Sequence, residues 1–238
     1  PRIEETSKTI AVDSDPKVVV NAEGCSLVVR AWDKQEVRYT VSEVAGRRTG
    51  EPVAVTDSKA GNEVKIDVVN DAPAGRFFGS AFTARVEIWV PKRSNVSITT
   101  DGDVRVSGIS GKVEINSDGA SSDIRDVSGD LKLAIGDGRA RVIGFDGGLV
   151  ASSEGGEMYL EGSFSSINAS TIGGKTVLSL PPSANATLIT NLSPQADSVR
   201  LENMGEDRFR IGTGSAEYRF RAEGGELVVR SAEMLSVK

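Results

Sequence analysis

Apolar and polar residues alternate with a period of two along most of this chain, and the alternating stretches are short. Starting at Val96 they recur at a fixed distance. The chain divides into VSITTDGDVRVSGISGK, VEINSDGASSDIRDVSGD, LKLAIGDGRARVIGFDGG, LVASSEGGEMYLEGSFSS and INASTIGGKTVLSL, with starts at Val96, Val113, Leu131, Leu149 and Ile167. These starts lie 17, 18, 18 and 18 residues apart. Each unit carries two alternating apolar residues, a glycine-rich corner, a second alternating pair and another corner. A period of two marks a strand with one face turned to a core.

The first inward column reads Val96/Ile98, Val113/Ile115, Leu131/Leu133, Leu149/Ala151 and Ile167/Ala169. With one gap in the first unit, a second column reads Val106, Ile124, Val142, Leu160 and Leu178, and a third holds Ile109, Val127 and Phe145. Gly102, Gly119, Gly155 and Gly173 share one corner, and Gly111, Gly129 and Gly147 the other. A single turn of this length cannot bury its apolar face, whereas stacked turns bury a continuous one. The pattern predicts an all-β chain whose middle is a β-solenoid, or β-helix-like stack, of 17–18-residue repeats with strands paired in parallel. An antiparallel meander is the competing arrangement, because Asp-Gly pairs are strong hairpin signals.

Residues 1–95 show strand signals without a clean period: KTIAVD, KVVVNA, SLVVRAW, VRYTVSEV, VAVTD, EVKIDVV and FTARVEIWV. A stack with an open first turn exposes strand edges and core, so this segment is expected to form an N-terminal β cap, with Trp32 and Trp89 as buried anchors. VVNDAPAGRFFGSAF reads as a longer loop. Pro181-Pro182 ends the periodic part, and strand signals return in ATLITNL, SVRLEN, DRFRIGT, AEYRFRA and GELVVRSA, which are expected to close the other end. The expected organisation is one elongated domain over 1–238: cap 1–95, repeat coil 96–180, closing strands 181–238.

Composition narrows the chemistry. Histidine is absent and Cys25 is the single cysteine, which removes Ser-His-Asp and Cys-His catalysis, His- or thiolate-bound zinc and any disulfide within the chain. Cys25, between a turn and a strand, reads as a small packed residue. Net charge is −6 and the pI is near 5.0, with no basic stripe, so nucleic acid is not an expected partner. No run approaches the roughly 18 apolar residues of a membrane span. Neither a cofactor nor a catalytic residue is expected.

Acidic residues recur at the first corner, at Asp101, Asp103, Asp118, Asp137 and Glu154. In a stack they would form an oxygen-rich row, and such rows bind Ca²⁺. They also suit solvated turns in which Asp bonds its own backbone. Carboxylate-only chemistry on polysaccharides is the enzymatic alternative, and needs two carboxylates facing one another across a groove. Arg105, Arg125, Arg139 and Arg141 serve either to offset the corner charges or as exposed strand residues. Phe77 and Phe78, adjacent in a glycine-rich loop, cannot both face one strand's core, and are the expected partner contact or a plug over the coil. The Asn-x-Ser/Thr triplets at Asn95, Asn168, Asn185 and Asn191 are expected by chance in a polar chain.

VRAWDKQEVRYTV, VEIWVPKRSNVSITTDGDVRVSGISGKVEINS and GELVVRS together resemble the bacterial putative-adhesin family of β-strand-repeat envelope proteins, over about residues 8–232. Ala31-Trp32-Asp33 stands where members carry Gly-Trp-Asp. The resemblance implies a β-solenoid-like fold and a non-catalytic cell-envelope, periplasmic or extracellular protein, often with a signal or lipid anchor, here expected before Pro1. Its implied partner is an envelope or extracellular protein or glycan. A polysaccharide-active enzyme and a self-assembling structural protein are the alternatives.

Overall fold

The computed structural model describes residues 2–45, 53–70, 84–119 and 121–232. The described chain is all-β, without a helix. It falls into two compact units, 1–123 and 124–238.

The first unit contains β1 (Arg2–Ala11), β2 (Lys17–Glu23), β3 (Ser26–Trp32), β4 (Glu36–Ala45), β5 (Ala54–Ala60), β6 (Glu63–Val69), β7 (Ala84–Pro91), β8 (Asn95–Thr100), β9 (Val104–Ser107) and β10 (Ser110–Ser117). β11 (Ser121–Arg125) crosses the division. Two hydrogen-bonded rows result. One runs β5, β6, β2, β8, β10, parallel throughout except for β5. The other runs β1, β4, β7, β3, β9, antiparallel as far as β7 and parallel beyond it. The expected register appears where Val113 and Ile115 pair with Val96 and Ile98. It continues upstream, because β2 brings Val18 and Val20 beside Val96 and Ile98. All six side chains are buried.

The order of these strands is not the order of the chain. β2 lies between β6 and β8, and β3 lies between β7 and β9. The pair that comes earliest in sequence is therefore enclosed by pairs that come later. Periodicity could not reveal this, since a fixed repeat assigns each turn to its sequence neighbour.

The second unit contains β12 (Ser128–Ile135), β13 (Arg139–Ser153), β14 (Glu157–Thr171), β15 (Lys175–Leu180), β16 (Ala186–Thr190), β17 (Gln195–Asp197), β18 (Glu202–Gly205), β19 (Arg208–Ile211), β20 (Ala216–Ala222) and β21 (Glu226–Ser231). Leu131 pairs with Leu149, and Leu149 with Ile167, in parallel. The same row goes on through Tyr218 to Leu188. In the other row Val142 pairs with Leu160, Leu160 with Leu178, and Leu178 with Val229. Every one of these side chains is buried. Threading out of order recurs here: β20 sits between β14 and β16, and β21 between β15 and β17. Antiparallel β19 and β18 cover the outer side of β16.

The third column gains a member. Phe145 meets Phe164 at a centroid distance of 5.5 Å, and Phe164 meets Tyr218 edge-on at 6.3 Å. The Tyr218 hydroxyl donates to the Phe164 carbonyl at 2.9 Å. A register shift between Val142/Phe145 and Gly147/Gly148 moves Phe164 one place off the 18-residue spacing, which hid it in the sequence.

Corners are tight because backbone stacks on backbone. A Cβ on Gly156 would lie 1.8 Å from the Gly138 carbonyl oxygen, and one on Gly174 would lie 2.2 Å from that of Gly156. The close-approach glycines thus stand one place beyond Gly155 and Gly173. Buried hydroxyls cap the same turns: Gly102 donates to Thr100 Oγ1 at 3.0 Å, and Gly156 to Ser153 Oγ at 3.0 Å.

Candidate functional site: an outward tryptophan pair

Alternation in β3 and β7 decides where the tryptophans go. Leu27 and Val29 of β3, and Val86, Ile88 and Val90 of β7, are buried on one face, so Trp89 and Arg30 take the opposite face, which is itself covered at Val28. Trp32 and Trp89 are half-buried on the outer side of their row, with ring centroids 6.3 Å apart and planes inclined by 35°. They are not core anchors. The Trp32 indole N–H donates to the Glu36 carbonyl at 2.8 Å.

Cross-strand register builds a row around Trp89. Arg38 of β4 is its partner on one side and Arg30 of β3 its partner on the other. Thr9 lies beyond Arg38, and Ser107 beyond Arg30. Neighbouring strands are about 4.8 Å apart, so two guanidinium-bearing positions flank one indole at adjacent strand spacings. Arg38 lies over the Trp89 ring at 5.7 Å, and the Lys34 ammonium over Trp32 at 4.8 Å.

Charge pairing around the patch is uneven. Glu87 is taken by Arg85, and Glu36 lies 3.7 Å from Lys34. Arg38 donates to Ser7 Oγ at 3.3 Å. Among the described residues neither Arg30 nor Arg38 has a carboxylate within ion-pair distance. On a chain of net charge −6, this is a local concentration of unneutralised cation beside aromatic surface.

The second unit carries a smaller aromatic group. Arg141 and Arg230 approach the Tyr159 ring at 5.8 Å and 5.1 Å, and the Tyr159 hydroxyl accepts from Arg230 at 2.7 Å and donates to Glu161 at 2.5 Å. The Tyr159 hydroxyl, Arg230 and Glu161 are thereby partnered with one another.

The other sequence-predicted residues are placed as follows. Phe77 and Phe78 lie outside the described residues. Asp101, Asp103, Asp118, Asp137 and Glu154 are exposed, and Asp101 Oδ1 accepts the Gly24 amide at 2.8 Å. Among the described residues no three Asp, Glu, Cys or His side chains gather as a metal would need. Arg105 reaches Asp123 at 3.8 Å, and Arg139 reaches Glu157 at 3.1 Å. Cys25 is buried, and desolvation, helped by Asp101, pushes its thiol up to about 12. Asn185 and Asn191 have structural work: Asn185 Oδ1 accepts from Thr213, and Asn191 pairs with both the amide and the carbonyl of Ala222. Among the described residues there is no helix, and so none long and apolar enough to cross a membrane.

No family model and no curated protein sequence matches this chain. Solved structures similar to it include a putative cell adhesion protein from Clostridium sporogenes, at 9% identity and a TM-score of 0.42, covering 97% of this chain and 100% of that one. A putative adhesin from Parabacteroides distasonis gives 10% identity and a TM-score of 0.44, with 96% of this chain and 97% of the other covered. A putative lipid binding protein from the same organism gives 11% identity and 0.42 over 96% and 97%. Likenesses of this strength establish neither a family nor a function.

Proposed function

We propose that this chain is a non-catalytic interaction protein of the cell envelope or extracellular space, adhesin-like, which holds its partner on the exposed face of a β-solenoid. In-register parallel pairing of Val96 with Val113 in one unit, and of Leu131, Leu149 and Ile167 in the other, supports the solenoid reading and its 17–18-residue turn, while Val18 joins the first row from far upstream. Under that reading the stack of the first unit reaches upstream of Val96 into the segment expected to cap it.

The observation that carries the functional reading is the partly exposed Trp32–Trp89 pair beside two guanidiniums without carboxylate partners among the described residues. Large aromatic surface left facing solvent on a rigid sheet costs solubility and is the usual chemistry of a contact hot spot. The patch offers stacking and ion pairing, and no base or nucleophile poised for turnover.

The test uses beads coated with the full chain, applied to bacterial cell-wall preparations and to extracellular matrix. Retention above protein-free beads, reduced in Arg30→Glu/Arg38→Glu, is the expected result. No retention on any surface overturns the reading. Release of reducing sugar ends from a polysaccharide would instead favour the carboxylate-enzyme alternative.

A further inference from the structure

We infer that the Trp32–Trp89 patch is a binding site for an acidic glycan, a polysaccharide whose sugar rings carry carboxylates. This rests on the interaction reading above and adds the chemical class of the ligand.

Sugars present flat C–H faces that stack on indole, and Trp supplies rigid amphipathic area at little entropic cost. Here two indoles lie 6.3 Å apart on one sheet face. Trp89 is fixed between β4 and β3 by the ladder on both sides, so the platform is organised before a ligand arrives.

The cations specify the charge of the ligand. A planar guanidinium matches a carboxylate with two parallel N–H donors. Arg38 and Arg30 stand one strand to either side of Trp89, with no carboxylate among the described residues to satisfy them. Lys34 and Arg38, now over the indole faces, are long flexible side chains that can turn from ring to carboxylate as a sugar takes the ring. Thr9 and Ser107 continue the row with hydroxyls that suit sugar oxygens.

A neutral glycan would leave both guanidiniums unused. A nucleic acid would meet the same aromatic and basic groups. Duplex DNA, with one charge per ~1.7 Å, is repelled by a chain of net charge −6, whereas a glycan with one charge per sugar or fewer needs only the local patch; single-stranded DNA, with one charge per nucleotide, is the discriminating competitor.

The chain carries its own probe, because Trp32 and Trp89 are its two tryptophans. The experiment titrates the full chain with oligogalacturonate, with its neutral methyl ester and with single-stranded DNA, following tryptophan fluorescence. Expected is a saturable change with oligogalacturonate, weakened by raising the salt, and at least tenfold poorer binding of the methyl ester. Arg30→Gln and Arg38→Gln should each weaken binding about fivefold to tenfold without moving the melting temperature, since neither side chain is in the core. Calorimetry on Trp89→Phe, which keeps an aromatic face, should show a smaller loss than Trp89→Ala. Equal binding of the methyl ester, preference for DNA, or no saturable change overturns the inference. Retention of coated beads on cell-wall material in that last case would leave the interaction reading standing and remove only the acidic glycan.

Discussion

At the residue scale, a polar group ties β1, β4 and β5 of the first unit together. Asp57 of β5 accepts from the Lys8 ammonium at 2.7 Å and from the Tyr39 hydroxyl at 2.9 Å. These hydrogen bonds, Lys8 foremost, hold the Asp57 carboxyl below its usual range, and burial first, then Asp57, pushes the Tyr39 hydroxyl up to about 12. A carboxyl whose pKa is depressed on folding contributes stability above its unfolded value, and that stability is lost as pH falls through the folded pKa. Asp57→Asn should therefore cost about 1–2 kcal/mol at neutral pH. Its destabilisation should begin to shrink below pH 4, where the unfolded chain's carboxyl takes up protons before the folded one does; urea unfolding at pH 7 and pH 3 checks both statements.

Cys25 gives the opposite sign. Its thiol, raised from 9.0 to about 12 by burial, contributes stability fully present below pH 9 and lost as pH climbs towards 12. The folded protein should resist thiol reagents at pH 8, and become labelled only when urea unfolds it. Gly156 tests the corner: a Cβ there meets the Gly138 carbonyl oxygen at 1.8 Å, so Gly156→Ala forces backbone apart and should cost about 1–3 kcal/mol or more by thermal melt.

At the element scale, the out-of-order strands hold the outermost ones in place. β16 and β17 have parallel neighbours only through β20 and β21, which come later in the chain. A chain ending at Gly214 would leave β14 and β15 without their outer partners and β16 with antiparallel β19 alone. Hydrogen exchange should then show β14, β15 and β16 losing protection together, whereas a simple sequential stack would lose its last strands and nothing more. The aromatic ladder belongs to this scale as well. Phe164 links Phe145 to Tyr218, and Phe164→Ala should cost about 3–5 kcal/mol, against about 1 kcal/mol for Tyr218→Phe, which deletes a single hydrogen bond.

At the scale of the whole molecule, each unit is built from pairings between strands distant in sequence, with β2 bonded to β6 and β8. Closing such loops before contacts form is slow, so refolding from urea should take milliseconds to seconds or longer, measured by stopped-flow tryptophan fluorescence. Strand existence was legible in the sequence because burial on one face imposes a period of two. SLVVRAW and FTARVEIWV overlap β3 and β7, and the columns Val96/Val113 and Leu131/Leu149/Ile167 pair as their spacing predicts. Cys25 also packs inward as a small residue between a turn and a strand, whereas the corner hydroxyls of Thr100 and Ser153 had no signal in the spacing. What spacing could not carry was the place of β2–β3 and β20–β21 between later or earlier strands, since hydrogen bonding between rows depends on which edge is free and not on chain order. The same limit applied to Trp32 and Trp89: hydrophobic size suggested core, but alternation against Leu27, Val29, Ile88 and Val90 turns them outward. The sequence by itself therefore determined the strands, their inward residues and the absence of histidine chemistry. Only the tertiary structure decided which strands are neighbours, because lateral pairing brings Arg38, Trp89 and Arg30 into one row from three segments that no local pattern connects.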